Sequence, residues 1–124
     1  MLKNYSEIDF SKLILKRKGI HFAFVEGEIY FKWGFRLKVF EAVDFDLERI
    51  ESYGYEVYRD DEKLYYYDSH PHPNDPLLAK THPHHKHIPP DMKHHRIPTK
   101  DIKFDRPNLP FLIEEIIEEL EASK

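Results

Sequence analysis

Eight of the chain's nine prolines fall between Pro71 and Pro107, and this block limits the fold more than any other feature. A proline has no backbone N–H to give to a helix or sheet ladder, and it pushes the residue before it out of the helical region. Regular structure is therefore expected before residue 69 and after residue 108, with a long irregular arm over 69–107 between them. A stretch of that length inside a compact domain is usually functional or disordered. Leu77, Leu78, Ile88, Met92, Ile97 and Ile102 recur along it and can pin it to a core, which favours an ordered arm.

The flanking segments carry clear periodicities. Ser6 and Asp9 as caps, Leu13 and Ile14 as apolar positions, Lys16–Lys18 near the end and Gly19 as a stop predict a helix over 6–17. Residues 20–68 are rich in β-branched and aromatic types and read as an antiparallel sheet. Glu26-Gly27 and Trp33-Gly34 read as tight turns between strands near 20–25, 28–32 and 35–43. In the third of these, Phe35, Leu37 and Val39 alternate with Arg36 and Lys38. Two further strands flank the polar turn Asp60-Asp61-Glu62. Asn108 as N-cap and Pro110 in the first turn open a helix over 109–122. Its stripe of Leu112, Ile113, Ile116, Ile117 and Leu120 is expected to pack on the sheet, a partner-binding helix being the alternative. The expected fold is α+β: one domain over 1–124, an antiparallel meander of about five strands, an N-terminal and a C-terminal helix, and the His/Pro-rich arm.

With 40% apolar and 15% aromatic residues the chain falls in the globular range. The absence of cysteine excludes disulfides, thiolate metal sites and cysteine nucleophiles. No apolar run approaches the roughly 18 residues of a membrane span, and no signal-peptide pattern opens the chain, so a soluble cytoplasmic protein is expected. The net charge of −4 conceals local asymmetry. Residues 80–106 hold seven Lys/Arg against three Asp, with six histidines among them, which suggests a local anion-binding face. A solvated charged surface is the plainer alternative.

Eight of the nine histidines lie between His70 and His95. His70, His72 and His82 each precede a proline and should be extended. In extended chain, His85 and His87 project to one side and His84 and Lys86 to the other, with Asp68 just upstream. Three readings fit. Imidazoles with Asp68 suit zinc, nickel or copper, although the spacing matches no helical ligand pair. Imidazoles near their ordinary pKa of about 6.5 suit acid–base cleavage of RNA. Lys86, Lys93 and Arg96 would then meet the phosphate, and Tyr65, Tyr66, Tyr67 and Trp33 would stack on bases. The third reading is a solvated Pro/His loop, with the tyrosines packed in the core.

The run from Tyr65 to Ile116, with its aromatic strand ending in Asp68, the "HPHP" step, "HPHHKH" and "RPNLPFLIEEI", resembles the TumE family of type II toxin–antitoxin toxins. Upstream, "GEIYFKWGFRLKVFEAVDF" is similar to that family's glycine-turn hairpin and "L.V.E" strand. The resemblance spans roughly residues 20–120 and implies a small toxin neutralised by a helix-turn-helix antitoxin. Toxins of comparable size often cleave RNA, and some share the compact sheet of RelE-like toxins. Those are strongly basic, so in this acidic chain RNA or ribosome docking would be confined to the arm.

The resulting expectation is a metal-free ribonuclease, with His85 or His87 as base and His72 or His84 as acid. Lys86 and Arg96 would stabilise the phosphate, and Lys80, Lys93 and Tyr67 would bind substrate. The alternative is a metal-binding protein or metal-dependent nuclease holding a divalent transition metal such as zinc through Asp68, His70, His72, His85 and His87. A non-enzymatic adaptor working through the exposed stripe of the last helix is the third class. Homo-oligomerisation is left open.

Overall fold

A computed structural model describes residues 5–69, 84–90, 96–99 and 101–123. Within these residues, seven antiparallel strands follow one another in chain order across a single sheet. They are β1 (Ile8–Lys18), β2 (Phe22–Phe31), β3 (Phe35–Asp44), β4 (Arg49–Arg59), β5 (Glu62–Asp68), β6 (His85–His87) and β7 (Arg96–Pro98). One helix, α1 (Leu109–Ala122), completes the described fold. None of the described helices is long and apolar enough to cross a membrane.

The expected N-terminal helix over 6–17 is instead strand β1, paired along its length with β2 from Phe10–Tyr30 to Lys18–Phe22. The Leu13-Ile14-Leu15 run fits either period, and β2 decides the outcome by taking up the backbone groups of its neighbour. Gly19 stops the element as expected, but at φ 77° it turns a hairpin and closes no helix.

The Glu26-Gly27 turn is also absent: strands 20–25 and 28–32 are one strand, β2. Gly27, at φ 146°, answers to close packing instead. A Cβ there would lie 1.8 Å from the carbonyl oxygen of Lys12 in β1. Trp33-Gly34 does turn, within a short 3-10 segment at Lys32–Gly34. Asp60 follows expectation too, taking φ 55° between β4 and β5 while its N–H donates to the Gly34 carbonyl at 2.8 Å.

The alternation foreseen in β3 sets the architecture. Phe35, Leu37 and Val39 share the core with Ile29, Tyr55, Val57, Tyr65 and Tyr67, and the α1 side chains Leu112, Ile113, Ile116 and Leu120 close it. The stripe of α1 is thus covered by this chain's own sheet, and an adaptor needing that stripe exposed is ruled out. Asn108 occupies the N-cap position, yet its side chain does not cap the helix. It bonds the Lys103 N–H and carbonyl and the Tyr55 hydroxyl instead. The arm expected over 69–107 is not wholly irregular either: β6 and β7 extend the sheet, and Ile102 is fully buried. Leu77, Leu78 and Met92 lie outside the described residues.

Gly27→Ala should cost about 2–4 kcal/mol, since the added methyl meets backbone that cannot rotate away. A lowered urea midpoint measures this, and an unchanged midpoint would mean that β1 does not pack as described.

Candidate functional site

The histidine segment reaches the sheet through three cross-strand pairs: Tyr66 with His87, Tyr67 with Lys86 and Asp68 with His85. Residues directly opposite in an antiparallel pair share a face. β6 therefore sends Lys86 to the face that α1 covers and His87 to the open face, and His84 falls on the α1 side.

On the open face His87 is nearly buried, its side chain 3% exposed, with Nε2 3.4 Å from Asp68 Oδ1. The imidazole lies flat on the Tyr66 ring, 4.1 Å between centroids and 7° between planes. Asp68 is 31% exposed and is the accessible member of the pair. A carboxylate with an imidazole this close is a group that can take up a proton.

On the α1 face, His84 Nδ1 lies 2.7 Å from the Tyr53 hydroxyl. Its ring stacks on Tyr53 at 5.8 Å and tilts against Phe104 at 4.8 Å. Burial pushes the Tyr53 pKa up, and Asp68 adds to the shift, so its hydroxyl stays protonated. Lys86 Nζ donates to Glu115 Oε2 at 3.1 Å and rides 4.1 Å above the Tyr65 ring. The Tyr67 hydroxyl donates to the same carboxylate, 2.9 Å from Oε2. Burial first, and the Glu115 charge second, raise the pKa of both Tyr65 and Tyr67. Lys86 and the fully buried Tyr67 thus form a closed knot between sheet and helix.

Of the residues expected to form the site, Asp68 and His87 come together, while His84 and Lys86 lie behind the sheet. An acid–base pair made of His84 and His87 would have to act through the sheet, so those two cannot serve one phosphate. For His85 and Arg96 the structure gives backbone pairing only, His85 opposite both Asp68 and Pro98, and Arg96 opposite His87. His70, His72, Lys80 and Lys93 lie outside the described residues. Trp33 is half exposed at the β2–β3 connection. Among the described residues no group of three His, Asp or Glu is arranged to hold a metal ion.

One acid escaped the sequence reading. Glu41 continues the inward phase of Phe35, Leu37 and Val39, and it is buried. That phase, extended by one step, was the available signal. The Tyr55 hydroxyl donates to Glu41 Oε2 at 2.5 Å, and the Asn108 amide donates to the Tyr55 oxygen at 3.1 Å. Burial raises the Glu41 pKa, opposed by the Tyr55 hydrogen bond. Glu41, Arg49, Phe104 and Arg106 line a cavity of about 250 Å³.

Because the folded chain binds the Glu41 proton more tightly than the unfolded chain, this group favours folding below its unfolded pKa. That contribution is lost as pH rises through the folded value. Glu41→Gln keeps an acceptor for Tyr55 without the charge. Relative to wild type, its melting temperature should rise as pH increases from about 4, the ordinary carboxylate value, through the raised folded one. Thermal unfolding at several pH values checks this, and a pH-independent difference would place the shift elsewhere.

No curated protein and no solved structure gives a match to this chain. A family model does: that of Toxin TumE, over residues 2–123. The match takes in every strand and the helix described above, and on it the chain belongs to the TumE toxin family.

Proposed function

We propose that this chain is the toxin of a toxin–antitoxin pair and acts as a metal-free endoribonuclease whose proton-accepting unit is Asp68 backed by His87. Membership of a toxin family implies an antitoxin partner. That the antitoxin is a helix-turn-helix protein, and that RNA free or on the ribosome is the target, belong to this same reading.

The observation that carries it is the Asp68–His87 contact at 3.4 Å on the open face of the sheet. The partly exposed carboxylate takes the proton of a ribose 2′-hydroxyl, and the imidazole beside it steadies the charge. The 2′-oxygen bonds to phosphorus, the P–O5′ bond breaks, and the 5′-oxygen receives a proton from a second histidine. Among the described residues, His85, opposite Asp68 in register, is the position offered for that acid. The products are a 2′,3′-cyclic phosphate and a 5′-hydroxyl end. Lys86, tied to Glu115, serves the fold in this scheme.

A metal-dependent nuclease is the second reading, supported by the Asp68–His87 contact and by His85 standing opposite Asp68 in register. Zinc is the ion such a mixed imidazole–carboxylate set suits.

Induced expression of wild type should arrest growth and fragment RNA, and co-expression of the neighbouring antitoxin should reverse both. Asp68→Asn and His87→Ala should each lower cleavage about 100-fold or more while circular dichroism stays native. Cleavage by Asp68→Asn at the wild-type rate would remove this unit from the reaction. Fragments ending in 5′-phosphate, or stoichiometric metal in protein purified without a nickel column, would favour the metal reading.

A further inference from the structure

The face of the sheet opposite α1 is neither core nor plain polar surface. Strand alternation brings Phe10, Phe22, Phe24, Tyr30, Phe40 and Tyr58 onto it from β1 to β4. Phe10 is 50% exposed, Phe22 46% and Phe40 37%. So many large apolar rings at the surface mark an interaction site. Two pairs are already stacked: Phe10 with Tyr30 at 4.5 Å and Phe24 with Phe40 at 5.9 Å.

Cations are interleaved with these rings. Lys12 Nζ lies 5.7 Å from the Phe10 centroid, Lys18 Nζ 5.5 Å from Phe24, and the Arg36 guanidinium 4.3 Å from Tyr58. Lys63 sits 5.0 Å from Tyr66, the ring that carries His87. Between the strand ends, five cations (Lys12, Lys16, Arg36, Lys38 and Lys63) share the face with three glutamates. Each glutamate has a cation in contact: Glu26 with Lys16 at 3.8 Å, Glu28 with Arg36 at 3.1 Å and Glu56 with Lys63 at 3.0 Å. The surplus is Lys12 and Lys38, which stand with Glu28, Glu56, Tyr66 and His87 in one row of cross-strand partners. A groove of about 460 Å³ runs over this region, lined by Ile14, Lys16, Glu28, Lys38 and Phe40 among others.

We propose that this open face, from β1 to β5, is a track for single-stranded RNA that leads the strand to Asp68. This rests on the ribonuclease reading above and supplies its substrate-binding surface. Exposed rings give every base a sequence-tolerant stacking partner, and cations set between the rings meet the phosphates. In a duplex the base faces are already stacked, so double-stranded RNA gains only the charge contacts. An acidic protein surface would meet the lysines and bury the rings as one patch, whereas single-stranded RNA uses each ring and each cation in turn.

The test is the fluorescence anisotropy of a labelled single-stranded RNA of mixed sequence, titrated with the full chain in chelator-containing buffer. Wild type should bind it more tightly than the duplex of the same sequence. Lys12→Gln/Lys38→Gln, which keeps the neighbouring glutamates from facing a new negative charge, should flatten the plot of log affinity against log salt by about 1.4. Phe40→Ala should weaken binding about tenfold. Equal binding by these folded variants and wild type, or tighter binding of duplex, overturns the track. So does loss of antitoxin capture in the same variants with RNA binding intact, which would make the face the antitoxin's seat. Binding that follows these variants, while no RNA is cut, sustains the track and removes the nuclease reading alone.

Discussion

Three backbone pairs, joining Tyr66, Tyr67 and Asp68 of β5 to His87, Lys86 and His85 of β6, fix what the histidine segment can do. Strand parity permits no compromise: a shift of one residue would exchange the faces of His87 and Lys86. Because the register is as it is, the imidazole of His87 meets Asp68 on the open face, and the ammonium of Lys86 meets Glu115 beneath α1. The same pairing extends the sheet beyond β5, so the site is built on strands paired on both sides, with the meander of β1 to β4 beside it.

The buried side of the sheet is held by more than apolar contact. Glu41, Tyr55 and Asn108 form one chain of hydrogen bonds, and Lys86, Glu115 and Tyr67 another. Each brings polar groups out of water and recovers the cost only when all partners are in place. Their value is positional. The first ties the segment entering α1 to the middle of the sheet, and the second ties the helix to β5 and β6. A purely apolar stripe such as Leu112, Ile113, Ile116 and Leu120 resists sliding along the sheet less specifically. With α1 fixed on one face, the other carries the rings and lysines of β1 to β4.

Legibility in the sequence varied with how local the deciding force was. The turns at Trp33-Gly34 and Asp60-Asp61, the alternation of β3 and the stripe of α1 could all be read, because each depends on a few adjacent residues. Residues 6–17 were misread because Leu13, Ile14 and Leu15 suit two periods, and the choice between them lies with β2. Gly27 was misread because a glycine looks the same whether it turns a chain or admits a neighbouring carbonyl. Asn108 was placed at the right position with the wrong task, since its amide found Tyr55 and the Lys103 backbone. In the candidate site, the opposed sides of His84 and His87 were foreseen from extended geometry. The contact of His87 with Asp68, almost twenty residues upstream, required the strand pairing.

By itself the sequence determined the antiparallel sheet, the closing helix, the concentration of histidines beside Asp68 and the toxin family. These follow from residue types and their spacing over short distances. Only the tertiary structure decided which histidine meets the carboxylate, which lysine is spent on a glutamate of α1, and that the rings of β1 to β4 share one exposed face with the lysines. Those outcomes depend on cross-strand register, and register is settled by the burial of the whole inward face at once. No single segment encodes it.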